Sequence, residues 1–343
     1  MNDKVTLIIP ARRDPEKLIR CIRSVQSGSV LPQVIVMDCT ADPEALSAAR
    51  ERFPEVRFFD MGMNPGRAHA VNTGIHITRT PYVMTLSPGL VVGKHCVERL
   101  CGVLDGDGDL LSAQAKILSA EDPDRISGAG WLLDLEANPV VRGAGGKARD
   151  YRKRAEITAA QMDAAIYRME YLEVTGIFDE RFYGQLEDLD LGYRAALAGF
   201  ANICEPGAAC REMESEAVSS FYEQLRIGNM EYFRYKYGMK GLRLPGRKED
   251  PSQKAAVERG RMLCFQAEME LMERQELGMS VTKQTLPEEF YMQTQADGPR
   301  GVYPLYLGER AEKPAVPGLE ALRDYGLRLA GTAEKVRGFL GLQ

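Results

Sequence analysis

Residues 177–200 read IFDERFYGQLEDLDLGYRAALAGF, and three carboxylates, Glu187, Asp188 and Asp190, directly follow an aromatic-rich turn. Leu189, Tyr193, Ala196, Leu197 and Phe200 then recur at helical spacing, with Gly199 near the end of the pattern. The carboxylates therefore fall in the first turn of a predicted helix, where free N–H groups and the backbone dipole favour negative charge. A carboxylate held ionised at the mouth of a pocket is suited to act as a general base. Acids also favour helix N-termini for the dipole alone, so the cluster by itself does not separate catalysis from capping. Asp190 stands four residues before Arg194, the spacing of an intrahelical ion pair.

The elements that must position such a cluster are legible upstream. Residues 5–9, VTLII, form an apolar run closed by Pro10. Asp14-Pro15 supplies a cap and a proline at the first helical position, and Leu18, Ile22 and Val25 form the inward face. QVIVMD (33–38) reads as a second buried strand ending on an acid, and Asp42-Pro43 repeats the cap-plus-proline start. A third strand is predicted over 56–61, a helix over 66–78 with Ala68, Val71 and Ile75 inward, and further strands over 82–86 and 109–117. Alternating β and α segments of these lengths predict an α/β fold, a mostly parallel sheet with helices on both faces. Ligands bind such sheets at the carboxyl ends of the strands, here residues 10–13, Asp38 and the loop after Leu86.

Composition narrows the class. The chain has 343 residues with 44% hydrophobic and 27% charged, as expected of a globular protein. A net charge of −5 argues against a dedicated nucleic-acid binder, so no nucleic-acid partner is expected. No apolar run reaches the roughly 18 residues of a membrane span, and MNDKVTLIIPARR lacks the length and cleavage site of a signal peptide. The 7 cysteines are scattered without a CxxC pair, so neither a disulfide framework nor a zinc site is expected, and a reducing cytoplasm fits best. The histidines, His69, His76 and His95, all lie in the first third, which leaves no histidine cluster spanning the chain.

Two basic stretches stand out. Residues 142–154, VRGAGGKARDYRKR with its preceding valine, are glycine-rich and read either as a solvated mobile loop or as one that closes over an anionic ligand. Residues 226–248 interleave Arg226, Arg234, Lys236, Lys240, Arg243, Arg247 and Lys248 with Tyr232, Phe233, Tyr235 and Tyr237. That pattern fits a surface helix with one aromatic face in the core, or a surface resting on an anionic membrane. The polar, turn-rich 245–255 segment predicts a boundary between a domain over 1–244 and a mainly helical C-terminal extension over 245–343, with helices near 252–277 and 318–339.

Taken in order, KVTLIIPARRDP, QVIVMDCTADP, NPGRAHAVNTG, YVMTLSPGLVV and FDERFYGQLEDLDLGYRAALAGF resemble the family 2 inverting glycosyltransferases of the GT-A fold, and most closely their rhamnosyltransferase-like branch. The resemblance covers roughly residues 4–237. It implies a nucleotide-sugar site: Pro10, Ala11 and Arg12 against the nucleotide, Asp38 on the base or ribose, and Asn64, Gly66, Asn72 and Gly74 bringing backbone close to the donor. Helix–sheet packing would account for those glycines equally well. The resemblance places the catalytic base on Asp188, with Glu187 as the alternate. It implies a donor such as a UDP- or dTDP-sugar and a glycan or lipid-linked hydroxyl acceptor of bacterial cell-surface polysaccharide synthesis. A cytoplasmic location follows, with peripheral contact at the inner membrane face, and a homo-oligomer or pairing with another glycosyltransferase as further partners.

The chain departs from that pattern at the metal positions. Where the family carries the last aspartate of Asp-X-Asp, which binds Mg²⁺ or Mn²⁺, the segment is Leu86-Ser87-Pro88-Gly89, and the family's downstream histidine position is Glu212. Ser87 and Gly89 would then line the donor without binding a metal, and Glu212 is a weak candidate ligand. The expectation is that Mg²⁺ or Mn²⁺ dependence is weak or absent. Arg12, Arg13, Arg67, Arg211 or the 142–154 segment would face the diphosphate instead. The alternative is a homologue that kept the fold, lost the activity and serves as a binding or scaffold subunit. A dinucleotide oxidoreductase is disfavoured, because no GxGxxG follows the first strand.

Overall fold

The computed structural model describes residues 4–42, 44–133, 138–214 and 220–237, and helical positions between 256 and 266. Its strands are β1 (Val5–Ala11), β2 (Gln33–Asp38), β3 (Arg57–Asp60), β4 (Tyr82–Leu86), β5 (Leu90–Val92), β6 (Leu110–Leu118), β7 (Ile126–Gly128), β8 (Trp131–Leu133), β9 (Pro139–Val141), β10 (Ala155–Ile157), β11 (Ala164–Arg168) and β12 (Ala201–Glu212). The helices are α1 (Pro15–Gln26), α2 (Ser47–Arg52), α3 (Arg67–His76), α4 (Cys96–Gly106), α5 (Met169–Thr175), α6 (Glu187–Leu197) and α7 (Ser220–Lys236). The main sheet runs β10-β12-β6-β11-β4-β1-β2-β3, with β5 added to β12 and β7 to β6, while β8 and β9 form a separate hairpin.

Side-chain alternation along β1 divides the core in two. Ile8 points to one face, where α3, α5, α6 and α7 contribute Val71, Leu172, Leu189 and Phe233. Leu7 and Ile9 point to the other, covered by Leu18 and Ile22 of α1, Ala49 of α2 and Leu100 of α4. α1 begins as its sequence predicts: Asp14 caps it by accepting from the Lys17 N–H at 3.0 Å, and Pro15 takes the first turn.

Beyond shifts of one or two residues at β3, α3 and β6, two boundaries differ from the sequence reading. β1 does not stop before Pro10 but continues to Ala11, paired Pro10↔Met37 and Ala11↔Asp38 with β2. Its ladder with β4 ends at Ile8, so beyond that residue only one flank is paired and a proline is tolerated. Asp42 does not cap α2. Its carboxylate accepts from the Glu44 N–H at 3.0 Å, closing a local turn, and α2 begins only at Ser47 without a side-chain cap.

The strand directions explain the site. β3, β2, β1 and β4 are mutually parallel, but β11 is antiparallel to both β4 and β6, so the sheet is mixed. That reversal places residues 161–163, just before β11, beside the carboxyl end of β4, and the Ser87 N–H donates to the Asp163 carbonyl at 2.8 Å. β12 runs parallel to β6 and ends at the same edge, where Glu212 pairs with Leu90 of β5.

The 142–154 segment is a set of hydrogen-bonded turns rather than an irregular loop. Gly143 and Gly145 adopt positive φ, the Gly145 N–H donates to the Ile126 carbonyl, and the Arg142 guanidinium lies 5.0 Å over the Tyr151 ring. The aromatic face of 226–237 lies in the core: Tyr232, Phe233 and Tyr237 are buried on α7. Two of its cations also turn inward, with Lys236 2.8 Å from both Asp179 and Asp190, and Arg234 donating to Asn138. These three aromatics therefore pack in the core. Lys240, Arg243, Arg247 and Lys248 lie outside the described residues, as do the predicted boundary at 245, the 318–339 helix and most of 252–277. Within 256–266, Arg259 donates to Asn229 of α7 at 2.7 Å. Among the described residues no helix is long and apolar enough to cross a membrane.

Candidate active site

The site gathers at the sheet edge where β1, β2, β4 and β12 end and where α3 and α6 begin. Leu186, in the left-handed region at φ 71°, turns the chain into α6. Glu187 and Asp188 stand at the first positions of that helix, and both are buried. One Asp188 oxygen accepts from the Met162 N–H at 3.0 Å and the other from the Leu189 N–H at 2.9 Å. Burial and the neighbouring Glu187 charge push the Asp188 carboxyl up to about 6, against the lowering effect of the Arg67 cation and the Met162 N–H. Glu187 accepts from Arg67 through one oxygen, while Oε2 has no hydrogen-bond partner among the described residues. Asp190, the third acid, is structural: it holds Arg194 at 3.0 Å, Lys236 at 2.8 Å and the Tyr237 hydroxyl at 2.7 Å.

Arg67 is the hub. As the first residue of α3 it reaches Glu187 at 2.9 Å, Asp163 at 3.0 Å and Asp188 at 3.9 Å. Those carboxylates hold its guanidinium more firmly protonated than usual, although burial opposes it. Sequence reasoning offered Arg67 as a diphosphate contact, but the guanidinium is committed to the three acids. Asp163 was missed, since a lone aspartate before a strand carries no local signal.

The motif around 64–74 makes specific packing contacts. Gly66 has φ +95°, and a Cβ there would lie 2.7 Å from Tyr183, whose carbonyl also accepts from the Arg67 N–H. Gly74 meets Ile8 of β1, where a Cβ would come within 2.8 Å of Cδ1. Asn72 is buried and clamps α3 to the following loop: its Nδ2 donates to Phe178 O and Glu180 Oε1, and its Oδ1 accepts from the Phe178 N–H. Asn64 accepts from the Gly66 N–H and donates to the Tyr183 hydroxyl at 3.2 Å. Within the chain, the close approaches at Gly66 and Gly74 are toward Tyr183 and Ile8.

At the ends of β1 and β2, Pro10 and Ala11 lead to Arg12, which is half-buried, and Arg13, which is exposed. Arg12 lies 5.9 Å from the Tyr222 ring centroid of α7. Asp38 is buried; one oxygen accepts from Thr40 N–H and Oγ1, and the other from Arg50 at 2.6 Å. Ser87 and Gly89 occupy the turn after β4, and a Cβ on Gly89 would meet nothing nearer than Ser87 Oγ at 3.9 Å. Arg211 is exposed and donates to the Ala120 carbonyl.

A divalent cation does not fit the side chains at the positions where the resemblance would put one. Gly89 has no donor atom, and Glu212 accepts from the Ser127 hydroxyl at 2.6 Å. The two positions are nonetheless neighbours, since the Met213 N–H donates to the Gly89 carbonyl at 2.9 Å. Among the described residues no group of three or more His, Cys, Asp or Glu is arranged to hold a metal.

Comparison with known proteins agrees with this architecture. The family described as glycosyl transferase family 2 matches residues 6–175, which covers the β1–β4 half of the site and stops short of Glu187 and Asp188. GalNAc-T7, solved with UDP, GalNAc and Mn²⁺, superposes with a TM-score of 0.55 at 12% identity over 79% of this chain; this chain spans only 57% of that protein's length. The mannosyltransferase PcManGT from Pyrobaculum calidifontis, solved with GDP-Man and Mn²⁺, gives a TM-score of 0.50 at 15% identity, over 99% of this chain and 88% of that one. No curated protein matches by sequence. The fold is GT-A, of the kind found in family 2 glycosyltransferases.

Proposed function

We propose that the chain is an inverting glycosyltransferase that moves a sugar from a nucleoside diphosphate to a hydroxyl acceptor, with Asp188 as general base. The observation that carries this reading is the buried Glu187–Asp188 pair at the N-terminus of α6, with the Asp188 carboxyl raised to about 6, on the sheet edge where α/β proteins bind ligands. A base with that proton affinity is ionised at neutral pH yet accepts a proton readily.

In the reaction, Asp188 takes the proton of the acceptor hydroxyl as its oxygen bonds to the anomeric carbon. The bond from that carbon to the diphosphate oxygen breaks on the opposite face, and the diphosphate leaves with the electron pair. Positioning and charge complementarity supply most of the rate. Arg12, at the end of β1, is assigned the diphosphate contact in this reading, since Arg67 is already held by Asp163, Glu187 and Asp188. Asp38 and its Arg50 partner contact the nucleoside. With Gly89 in place of a metal-binding aspartate, no step is routed through a divalent cation, and donor binding depends little on one.

A pyrimidine nucleotide donor, UDP- or dTDP-linked, a glycan or lipid-linked acceptor at the inner membrane face, and a place in the rhamnosyltransferase-like branch complete the proposal. A binding subunit without turnover is the second reading, and Gly89 favours it. A thermal-shift panel of nucleotides and nucleotide sugars, with and without Mn²⁺, tests both. A pyrimidine diphosphate or its sugar conjugate should raise Tm, and Asp38→Ala should weaken the shift. Stabilisation by NAD alone would overturn the assignment, and binding without release of nucleoside diphosphate in the presence of any acceptor would select the second reading.

A further inference from the structure

Trp131 is the only tryptophan of the chain, and it stands at the start of the β8–β9 hairpin, outside the main sheet. Its backbone is fixed on both sides of the strand that leads to the site. The Trp131 N–H donates to the Ala159 carbonyl at 2.9 Å, and the Trp131 carbonyl accepts from the Thr158 N–H at 2.8 Å. Three residues further on, Met162 makes the backbone contact with Asp188. The indole N–H lies close enough to Asp188 to favour its ionised form. Yet it closes no hydrogen bond of normal geometry with any described residue, although the nitrogen itself is buried. The Asp188 carboxylate is thus the polar group that bears on this N–H, at a geometry short of a full hydrogen bond, and the N–H keeps the capacity to donate to a better-placed oxygen. Trp131 as a residue is half-buried rather than buried.

The other neighbours of Asp188 belong to the donor side or the core: Glu187 on α6, Arg67 on α3 with Asp163 behind it, and the buried Tyr167 of β11. Inversion needs the acceptor hydroxyl on the face of the anomeric carbon opposite the diphosphate, and Trp131 is the group acting on Asp188 that comes from outside the main sheet.

We propose that Trp131 is the acceptor platform of the site: a neutral sugar ring lies on the indole and presents one hydroxyl to Asp188 and the unpartnered N–H together. This rests on the transferase reading for the identity of the acceptor, but the contact between Trp131 and Asp188 stands apart from it. The indole offers an apolar face for the C–H side of a sugar and a donor at its edge, the pairing by which aromatic residues hold amphipathic ligands. A hydroxyl there satisfies the orphaned N–H and is positioned for proton transfer at once.

The single tryptophan makes the test direct. In the full-length protein without ligand, Trp131 emission should change in one step between pH 4 and 8 with a midpoint about 6, and the step should vanish in Asp188→Asn. Methyl glycosides of rhamnose, mannose, glucose, galactose and N-acetylglucosamine are then titrated, in the presence of UDP or dTDP. At least one should perturb the emission saturably. Saturation-transfer NMR should show that glycoside bound to the native chain and to Trp131→Phe, at least tenfold more weakly to Trp131→Ala, with each variant's Tm confirming that it is folded. Nucleotide-induced Tm shifts should be unchanged in both variants. Emission indifferent to pH and to Asp188→Asn, or glycoside binding unchanged in Trp131→Ala, overturns the proposal. If nucleotides bind and no glycoside perturbs Trp131, the platform fails while the transferase reading survives. If glycosides bind at Trp131 and no nucleotide stabilises the chain, the transferase reading fails and the sugar site stands.

Discussion

Replacing Arg67 with glutamine should make stability steeply dependent on pH. Arg67 is the one cation within 4 Å of Glu187 and Asp188 among the described residues, and Glu187 is fully buried. Removing one partner from a buried ion pair typically costs about 3–5 kcal/mol, because the remaining charge keeps its desolvation penalty. The Arg67 side chain is 28% exposed, so water screens part of this and the lower end, about 3 kcal/mol, is expected at pH 8. The sign follows from Asp188. Its folded value of about 6 lies above the unfolded carboxylate value, so protonation favours the fold. That contribution is complete below about pH 4 and is lost as pH rises through about 6. Without Arg67 the folded value rises further, so the variant keeps losing stability above pH 6. Urea melts of Arg67→Gln and the native chain should therefore differ by about 3 kcal/mol at pH 8 and by under about 1 kcal/mol at pH 4.5. A loss equal at both pH values would show that Arg67 acts through packing and would refute the electrostatic account.

Asp188→Asn should lower turnover by roughly two orders of magnitude or more with donor affinity kept, and should raise unfolding free energy at pH 8 by about 2 kcal/mol because it removes a buried charge; steady-state kinetics and urea melts check both. Gly89→Asp should create Mn²⁺-dependent nucleotide binding, since its side chain would enter open space beside Ser87, whereas EDTA should leave native affinity unchanged; calorimetry with and without Mn²⁺ decides. In α6, a Cβ on Gly192 would press on Ala159 and the Thr158 carbonyl, which are largely backbone and cannot rotate away, so Gly192→Ala should lower stability by roughly 2–3 kcal/mol. Gly102→Ala in α4 meets nothing within 4 Å and should gain about 0.5–1 kcal/mol by the same melts.

What the sequence made legible was local. Periodicity placed β2 and β4 to the residue, and Asp14-Pro15 and the acids at 187–190 marked the starts of α1 and α6, because caps and apolar spacing are written within a few residues. Asp42 misled because an aspartate also closes a turn: its carboxylate accepts from the Glu44 N–H, and the Thr40 hydroxyl donates to its carbonyl. The roles of Arg67, Asp163 and Trp131 were not legible, since each depends on partners brought in by the reversed strand β11. The clearest case is Arg67, whose partner Glu187 is 120 residues away. The solitary tryptophan was the one available signal that went unused. Gly66 and Gly74 carried a pattern with two meanings, and their contacts with Tyr183 and Ile8 could not be read from it.

The distance between Arg67 and its acids also bears on how the chain folds. Its contacts close loops of 96 residues to Asp163 and 120 to Glu187, so they form after β4, β6 and β11 have aligned. Until that moment Glu187 and Asp188 remain hydrated, and the docking of α6 must strip water from two adjacent charges before the guanidinium is fully in place. That step is a kinetic barrier which grows with ionisation. Refolding should consequently slow as pH rises from 5 to 8, unfolding should change less, and the Arg67 substitution should affect mainly the unfolding limb of the chevron at pH 8. The constellation proposed to do the chemistry would then be among the last parts of the molecule to assemble.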